Sequence, residues 1–268
     1  MCYHTPIPKK YAEIAEMSKQ ECKNGFKYKT QQKCRRLGSG CEGFLVVSTM
    51  GNLFSFLGWS LSEPNKGEEP PLTIEADGTW RVSLGAGCYW GTEKFIKDVF
   101  PKRSENPEGS IITGKVGFMG PKSAPANPSY KDVCTGKTNH VEVYDVTFTG
   151  GAAYFEAMIK FFFMFHDPTT MNRQGNDSGT QYASVIYCYN QEQFEIATRV
   201  KEELQNLINK KMLKSAYSSF RVTTSIRMVE APFFEAHAEH QAYLQNNPSG
   251  YCNHGFKFRT WPDLNVSD

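Results

Sequence analysis

Leu84-Gly85-Ala86-Gly87-Cys88-Tyr89-Trp90-Gly91 is the stretch that decides the fold. Ahead of it, Trp80, Val82 and Leu84 alternate as in a strand; behind it, Phe95, Ile96, Val99 and Phe100 recur at helical spacing. A strand therefore hands over to a helix at Cys88, with three glycines nearby that permit a tight turn. Backbone N–H groups at a helix N-terminus favour an anion and lower a thiol's pKa. A free thiol with pKa near 8.5 is only about 3% thiolate at pH 7, and a fall to ~6 makes it mostly thiolate. The plainer reading of such a cysteine is a small buried residue, but a glycine-rich turn flanked by two aromatics suits a core position poorly.

The alternation of strand and helix patterns continues from this turn. Residues 79–85, 110–118, 140–148, 181–189 and 221–228 read as strands, and 88–100, 152–166, 191–211 and 233–246 as helices. The helix from Gln191 is the clearest. Asn190 is an N-cap, Gln193 lies three residues on, and Phe194, Ala197, Val200, Leu204 and Ile208 mark one face. The run 140–148 puts Glu142, Tyr144, Val146 and Phe148 on one side of a strand. This order predicts an α+β domain, a two-layer α/β sandwich with a mixed central sheet. It covers residues 72–268, with 1–71 as an irregular, poorly ordered N-terminal extension and linker.

The 268 residues are 40% hydrophobic and 22% charged, an ordinary globular balance. Residues 1–49 hold nine Lys/Arg against four Asp/Glu, which leaves 21 against 24 elsewhere. The basic excess thus belongs to the extension, and a nucleic-acid role for the main body is not expected. No run is long enough for a membrane span; Phe161-Phe162-Phe163-Met164-Phe165 is apolar but short. The eight cysteines, without a secretory signal, fit a reducing compartment with one or two working thiols better than a disulfide framework. A cytoplasmic location is expected, with organelle targeting by the extension as the variant. Met50-Gly51-Asn52-Leu53-Phe54-Ser55 matches the myristoylation pattern, but it matters only if translation starts at Met50.

Several polar motifs lie on loops or at element ends: Asn127-Pro128-Ser129-Tyr130, His140-Val141-Glu142, His166-Asp167-Pro168-Thr169, Gln174 to Tyr182 and Asn247-Pro248-Ser249-Gly250-Tyr251-Cys252. Singly, each has a bland explanation. Tyr182 suits half-buried strand packing, Glu142 a solvated strand start, His166 a helix end, and Asn247-Pro248 a turn. Together with the Gly87-Cys88-Tyr89-Trp90-Gly91 turn, and in this order, they resemble the A-type peptide methionine sulfoxide reductases over roughly residues 75–258. His240-Gln241-Ala242-Tyr243-Leu244 is similar to that family as well.

The resemblance implies reduction of methionine S-sulfoxide, free or in proteins, with no bound cofactor or metal and with thioredoxin as reductant and partner. It implies Cys88 as the nucleophile, Glu142 as the acid that protonates the sulfoxide oxygen, and Tyr130 and Tyr182 as hydroxyl donors to that oxygen. Tyr89 and Trp90 would wall the methyl group, Asp167 would fix hydrogen bonding at the site, and Cys252 would resolve the Cys88 sulfenic acid as a disulfide. That disulfide needs Cα atoms within about 7 Å, so the segment around Cys252 must fold back or swing to the site. A carboxyl in an apolar setting has a raised pKa, which suits Glu142 as an acid. Tyr89 stands where the family commonly has Phe, and no cysteine follows Cys252. Cys134 matches a family cysteine that is not the nucleophile, and Cys188 reads as core. A monomer is expected.

Two rivals remain open at this point. A Cys–His hydrolase would pair Cys88 with His237, but His237 sits on what reads as a polar helix face. A metal-binding protein would use Cys22, Cys34 and Cys41, which lack any Cys-x-x-Cys pair.

Overall fold

A computed structural model describes residues 78–104 and 108–264. Its strands are β1 (Trp80–Ala86), β2 (Ile111–Met119), β3 (Val141–Phe148), β4 (Arg173–Gln174), β5 (Asp177–Ser178), β6 (Ser184–Cys188), β7 (Ser225–Met228) and β8 (Phe234–Glu235). Its α-helices are α1 (Tyr89–Glu93), α2 (Tyr130–Cys134), α3 (Gly151–Phe165), α4 (Gln191–Asn209) and α5 (Tyr243–Asn246). Six strands form one mixed sheet in the order β7-β6-β1-β3-β2-β8. Only β6 and β7 run parallel within it. The fold is α+β, as expected.

The period-2 pattern of β3 sorts its side chains between two faces. Tyr144, Val146 and Phe148 join Val82, Leu84 and the buried faces of α3 and α4 in the main core. Val141 and Val143 join Met119, Val185 and Tyr187 on the opposite face, under Phe233 and Val229. α4 begins where its cap predicts, with Asn190 Oδ1 accepting from Gln193 N at 2.8 Å. α3 carries the Phe-rich run into the core. It ends at His166, whose Nδ1 lies 2.7 Å from Phe162 O.

Four expectations change in detail. The span 88–100 is helical but not uniform: α1 widens into a π turn at Lys94–Val99 and tightens into a 3₁₀ turn at Phe100–Lys102. The expected strands 181–189 and 221–228 shrink to β6 and β7. Residues 233–246 are not a helix. Phe234–Glu235 pair with β2 as an edge strand, Ala238–His240 make a 3₁₀ turn, and only Tyr243–Asn246 are α-helical. Ala242 at φ +52 breaks any continuous helix there. The turn at Ser129-Tyr130 opens a short helix, α2, through a capping box between Ser129 and Asp132. The expectations for residues 1–71, including the Met50 pattern and Cys22, Cys34 and Cys41, lie outside the described residues.

Candidate active site

β1 lies centrally in the sheet, between β3 and β6. Its register sets Leu84 opposite Tyr144, so its C-terminal end arrives beside Glu142 at the start of antiparallel β3. Gly87 then turns the chain at φ +94, and a Cβ there would collide with Gln174 Cβ. Cys88 caps α1, with Tyr89 as the first helical residue. The first amides of α1 face two acidic groups. Tyr89 N donates to Glu142 Oε2 at 3.1 Å, and the Trp90 N–H bonds to the Cys88 thiol.

Glu142 is 2% exposed, and burial pushes its carboxyl well above the usual carboxylate range. Cys88 departs from the lowered pKa expected of a helix start. Burial and then the Glu142 charge push its thiol up, and the Trp90 amide offsets only part of this. The resting thiol is therefore protonated at physiological pH, and the carboxyl beside it holds its proton to higher pH than an ordinary carboxylate.

The C-terminal segment covers this pair. Asn253 Nδ2 donates to Gln174 O at 2.6 Å and to Asp177 Oδ2 at 2.8 Å. Tyr251 OH donates to Asp177 Oδ1 at 3.1 Å, and His254 Nε2 lies 2.7 Å from Ala86 O. Gly255 and Lys257 amides reach Phe165 and Met164 carbonyls at the end of α3. Cys252 is thus folded back near Cys88, close enough for its charge to bear on that thiol, and both cysteines are free.

Aromatic side chains pack around the start of α1. Trp90 stacks on Tyr243 with centroids 3.7 Å apart, and His240 stacks on its indole at 5.8 Å. Tyr89 packs against Phe118 and His240, and Tyr130 lies 4.6 Å from the same imidazole. Tyr130 and Tyr182 are half-buried, and burial and then Glu142 push both phenols up, so both stay protonated donors. Tyr182 is held there by a 3₁₀ turn whose Thr180 Oγ1 donates to Gly136 O at 3.0 Å.

A sequence profile described as peptide methionine sulfoxide reductase matches residues 81–261, which is this whole constellation. The chain belongs to that family. A Schizosaccharomyces pombe protein described as a probable peptide methionine sulfoxide reductase is 38% identical over 65% of this chain and 93% of its own length. The Vibrio parahaemolyticus peptide methionine sulfoxide reductase MsrA is 34% identical over 73% of this chain and 91% of its own. The crystal structure of reduced Mxr1 from Saccharomyces cerevisiae superposes with a TM-score of 0.55 at 31% identity, covering 68% of this chain and 92% of that one. Methionine sulfoxide reductase A of Corynebacterium diphtheriae gives 0.54 at 34% identity, covering 66% and 79%. Like its relatives, the chain is an oxidoreductase of the methionine sulfoxide reductase type.

In this reductase the Asp167 carboxylate bonds within its own loop and to the segment before β7. Its carboxylate accepts from Thr169 N and Oγ1 and from Ser218 N, which holds the loop after α3. Burial raises its pKa, but those bonds outweigh burial and leave it lowered. Its backbone reaches the site only indirectly, through the Gln174 side chain. The carboxylate that bears on Cys88, Glu142 and Tyr182 is Asp177. It belongs to the same Gly-rich motif as Tyr182, and the β4–β5 hairpin, turned by Gly175 at φ +56, aims it there. Cys134, bonded to Tyr130, also bears on Glu142. His237, the hydrolase partner, is 75% exposed and 3.6 Å from Glu239 on the surface. Cys188 is fully buried in β6. Among the described residues no cluster of three or more His, Cys, Asp or Glu could hold a metal ion, and no helix is long and apolar enough to cross a membrane.

Proposed function

We propose that residues 72–268 are a catalytic domain that reduces the S epimer of methionine sulfoxide through Cys88, with Cys252 as resolving thiol and thioredoxin as reductant. The reading rests on one observation: Glu142 and Cys88, both with raised pKa, take adjacent amides of the same helix start. A sulfoxide entering between them meets a thiol and a protonated carboxyl. Glu142 gives its proton to the sulfoxide oxygen as Cys88 sulfur attacks the sulfoxide sulfur, and Glu142 takes the thiol proton in exchange. The oxygen is transferred: methionine leaves, and Cys88 holds the oxygen as a sulfenic acid. Tyr130 and Tyr182 hydroxyls donate to that oxygen, and Tyr89 and Trp90 wall the methyl group. One buried methyl contributes only about 0.8 kcal/mol. A site built to bond an oxygen can reject an analogue lacking it by ~10⁴, so the oxygen contacts carry the choice of sulfoxide over methionine.

Cys252 then attacks the sulfenic sulfur, water leaves, and a Cys88–Cys252 disulfide remains for thioredoxin to reduce. Every group in this sequence comes from one chain, so a monomer suffices. Eight cysteines of which one or two would work as redox thiols fit a reducing compartment such as the cytoplasm. The test is a reduction assay on each sulfoxide epimer, free and in a peptide, with and without thioredoxin. Sustained methionine formation from the S epimer with thioredoxin, and about one equivalent without it, is expected. No methionine from either epimer would refute the proposal.

A further inference from the structure

His254 is a residue that the catalytic scheme above leaves unused, and its surroundings are unusual for a surface tail. Its Nε2 lies 2.7 Å from Ala86 O. A carbonyl only accepts, so Nε2 carries the proton and Nδ1 presents a bare lone pair. That lone pair faces Cys252 Sγ at 4.0 Å. The ring stands against the catalytic helix itself: a Cβ on Gly91 would collide with His254 Nδ1, Cε1 and Cγ. Phe95 and Phe165 close around it at 6.3 and 5.7 Å. Burial, reinforced by Lys257, lowers its pKa to about 4, against the opposing bond to Ala86, so the imidazole is neutral at working pH, and the thiolate charge forming at Cys252 beside it raises its basicity as the proton transfers. The other titratable groups around it are Cys252 and, at the end of α3, His166, itself held neutral by burial.

We infer that His254 is the base that takes the Cys252 thiol proton as Cys252 attacks oxidised Cys88. The inference deepens the proposed function and rests on Cys252 being the resolving thiol. The step balances. The Cys252 S–H proton moves to His254 Nδ1, the sulfur bonds to Cys88 Sγ, and the Cys88 S–O bond breaks. The departing hydroxide takes the proton back from Nδ1 and leaves as water. Cys252 sulfur is oxidised, Cys88 sulfur is reduced from sulfenic acid to disulfide, and His254 ends as it began. The thiolate is the competent nucleophile. A base two residues from Cys252 supplies it only when the tail is docked, because the Ala86 bond that fixes the tautomer is itself a docking contact.

The experiment follows both steps in the full chain after mixing the reduced protein with one equivalent of methionine sulfoxide. Methionine release reports the first step, and loss of a dimedone-reactive sulfenic acid reports disulfide formation. His254→Gln keeps an amide donor for Ala86 O but offers no base. It should slow disulfide formation about 10²-fold relative to the methionine burst, and the residual rate should rise with hydroxide concentration. In His254→Ala, added imidazole should restore the disulfide step, which a purely structural role would not allow. Disulfide formation at the wild-type rate in His254→Gln overturns the inference, and so does a slow His254→Ala that imidazole does not accelerate. A Cys252→Ser chain that turns over repeatedly with thioredoxin would remove the resolving role of Cys252 itself, and the base with it. Ordinary Cys252 dependence with a fast His254→Gln removes the base alone.

Discussion

Tyr89 and Glu142, 53 residues apart in sequence, are joined by a 3.1 Å hydrogen bond from backbone N–H to Oε2. This bond ties the start of the catalytic helix to the buried carboxyl of the neighbouring strand. It also sets the protonation chemistry. Glu142 lies where its charge opposes ionisation of Cys88, so proton and charge move together at the site.

Glu142→Gln removes both the proton donor and the opposing charge. The rate of methionine formation should fall about 10²- to 10⁴-fold, the usual contribution of a positioned acid. The Cys88 thiol should meanwhile ionise at lower pH, because a charge that raises its pKa is gone. In the wild type, methionine formation should decline as rising pH removes the Glu142 proton, at a pH above the usual carboxylate range, and the Glu142→Gln variant should lack that limb. Stopped-flow absorbance of the thiolate and single-turnover rates against pH measure both effects.

Gly91→Ala should act through the tail. A Cβ there meets the His254 ring, which is buried and bonded to Ala86 O, so the ring must leave its seat. Disulfide formation should slow, and residues 251–257 should exchange amide hydrogen faster. Exchange mass spectrometry with the rapid-quench assay checks the pair of outcomes.

Asp177→Asn and Asp167→Asn should separate cleanly, although both aspartates lie between α3 and β6. Asp177 holds Tyr251 and Asn253 and bears on Cys88, so its variant should impair the disulfide step and lower the Cys88 thiol pKa. Asp167 holds Thr169 and Ser218, so its variant should cost about 1–3 kcal/mol of stability in denaturant unfolding and leave the Cys88 titration in place.

How far these features could be read in advance differs from residue to residue. The alternation through Glu142, Tyr144, Val146 and Phe148 was legible because a strand buried on one face repeats every two residues. The cap at Asn190 and the apolar stripe of α4 were legible for the same local reason. Residues 233–246 misled because Phe233 and Ala236 stand three residues apart, as on one helix face, while the free edge of β2 recruits Phe234 and Glu235 as a strand. An edge seeking a partner leaves no mark in the local pattern. The direction of the Cys88 shift was hidden too, since it depends on burial within the assembled site and on a carboxyl distant in sequence, Glu142. Asp177 escaped notice because its aim depends on the tight β4–β5 hairpin, which the local pattern of its Gly-rich motif does not reveal.

His166 should leave a signature in acid. Its folded pKa, lowered by burial to about 3 from 6.5, means that the unfolded chain binds a proton first as pH falls. The stability it contributes is complete above about pH 6.5 and is lost progressively down to about pH 3. The added slope reaches about 1.4 kcal/mol per pH unit. His166→Gln should be less stable at neutral pH, because Ser184 and Phe162 lose a fitted partner. It should also show a shallower decline between about pH 6 and 4, which thermal melts across that range would resolve.

The central claim is that Cys88 sulfur receives the oxygen. Its most direct measurement is mass spectrometry of Cys252→Ser after one equivalent of methionine S-sulfoxide and dimedone. The account predicts one equivalent of methionine and a single dimedone adduct on Cys88. Methionine formed with no adduct on Cys88, or undiminished turnover by Cys88→Ser, would contradict it.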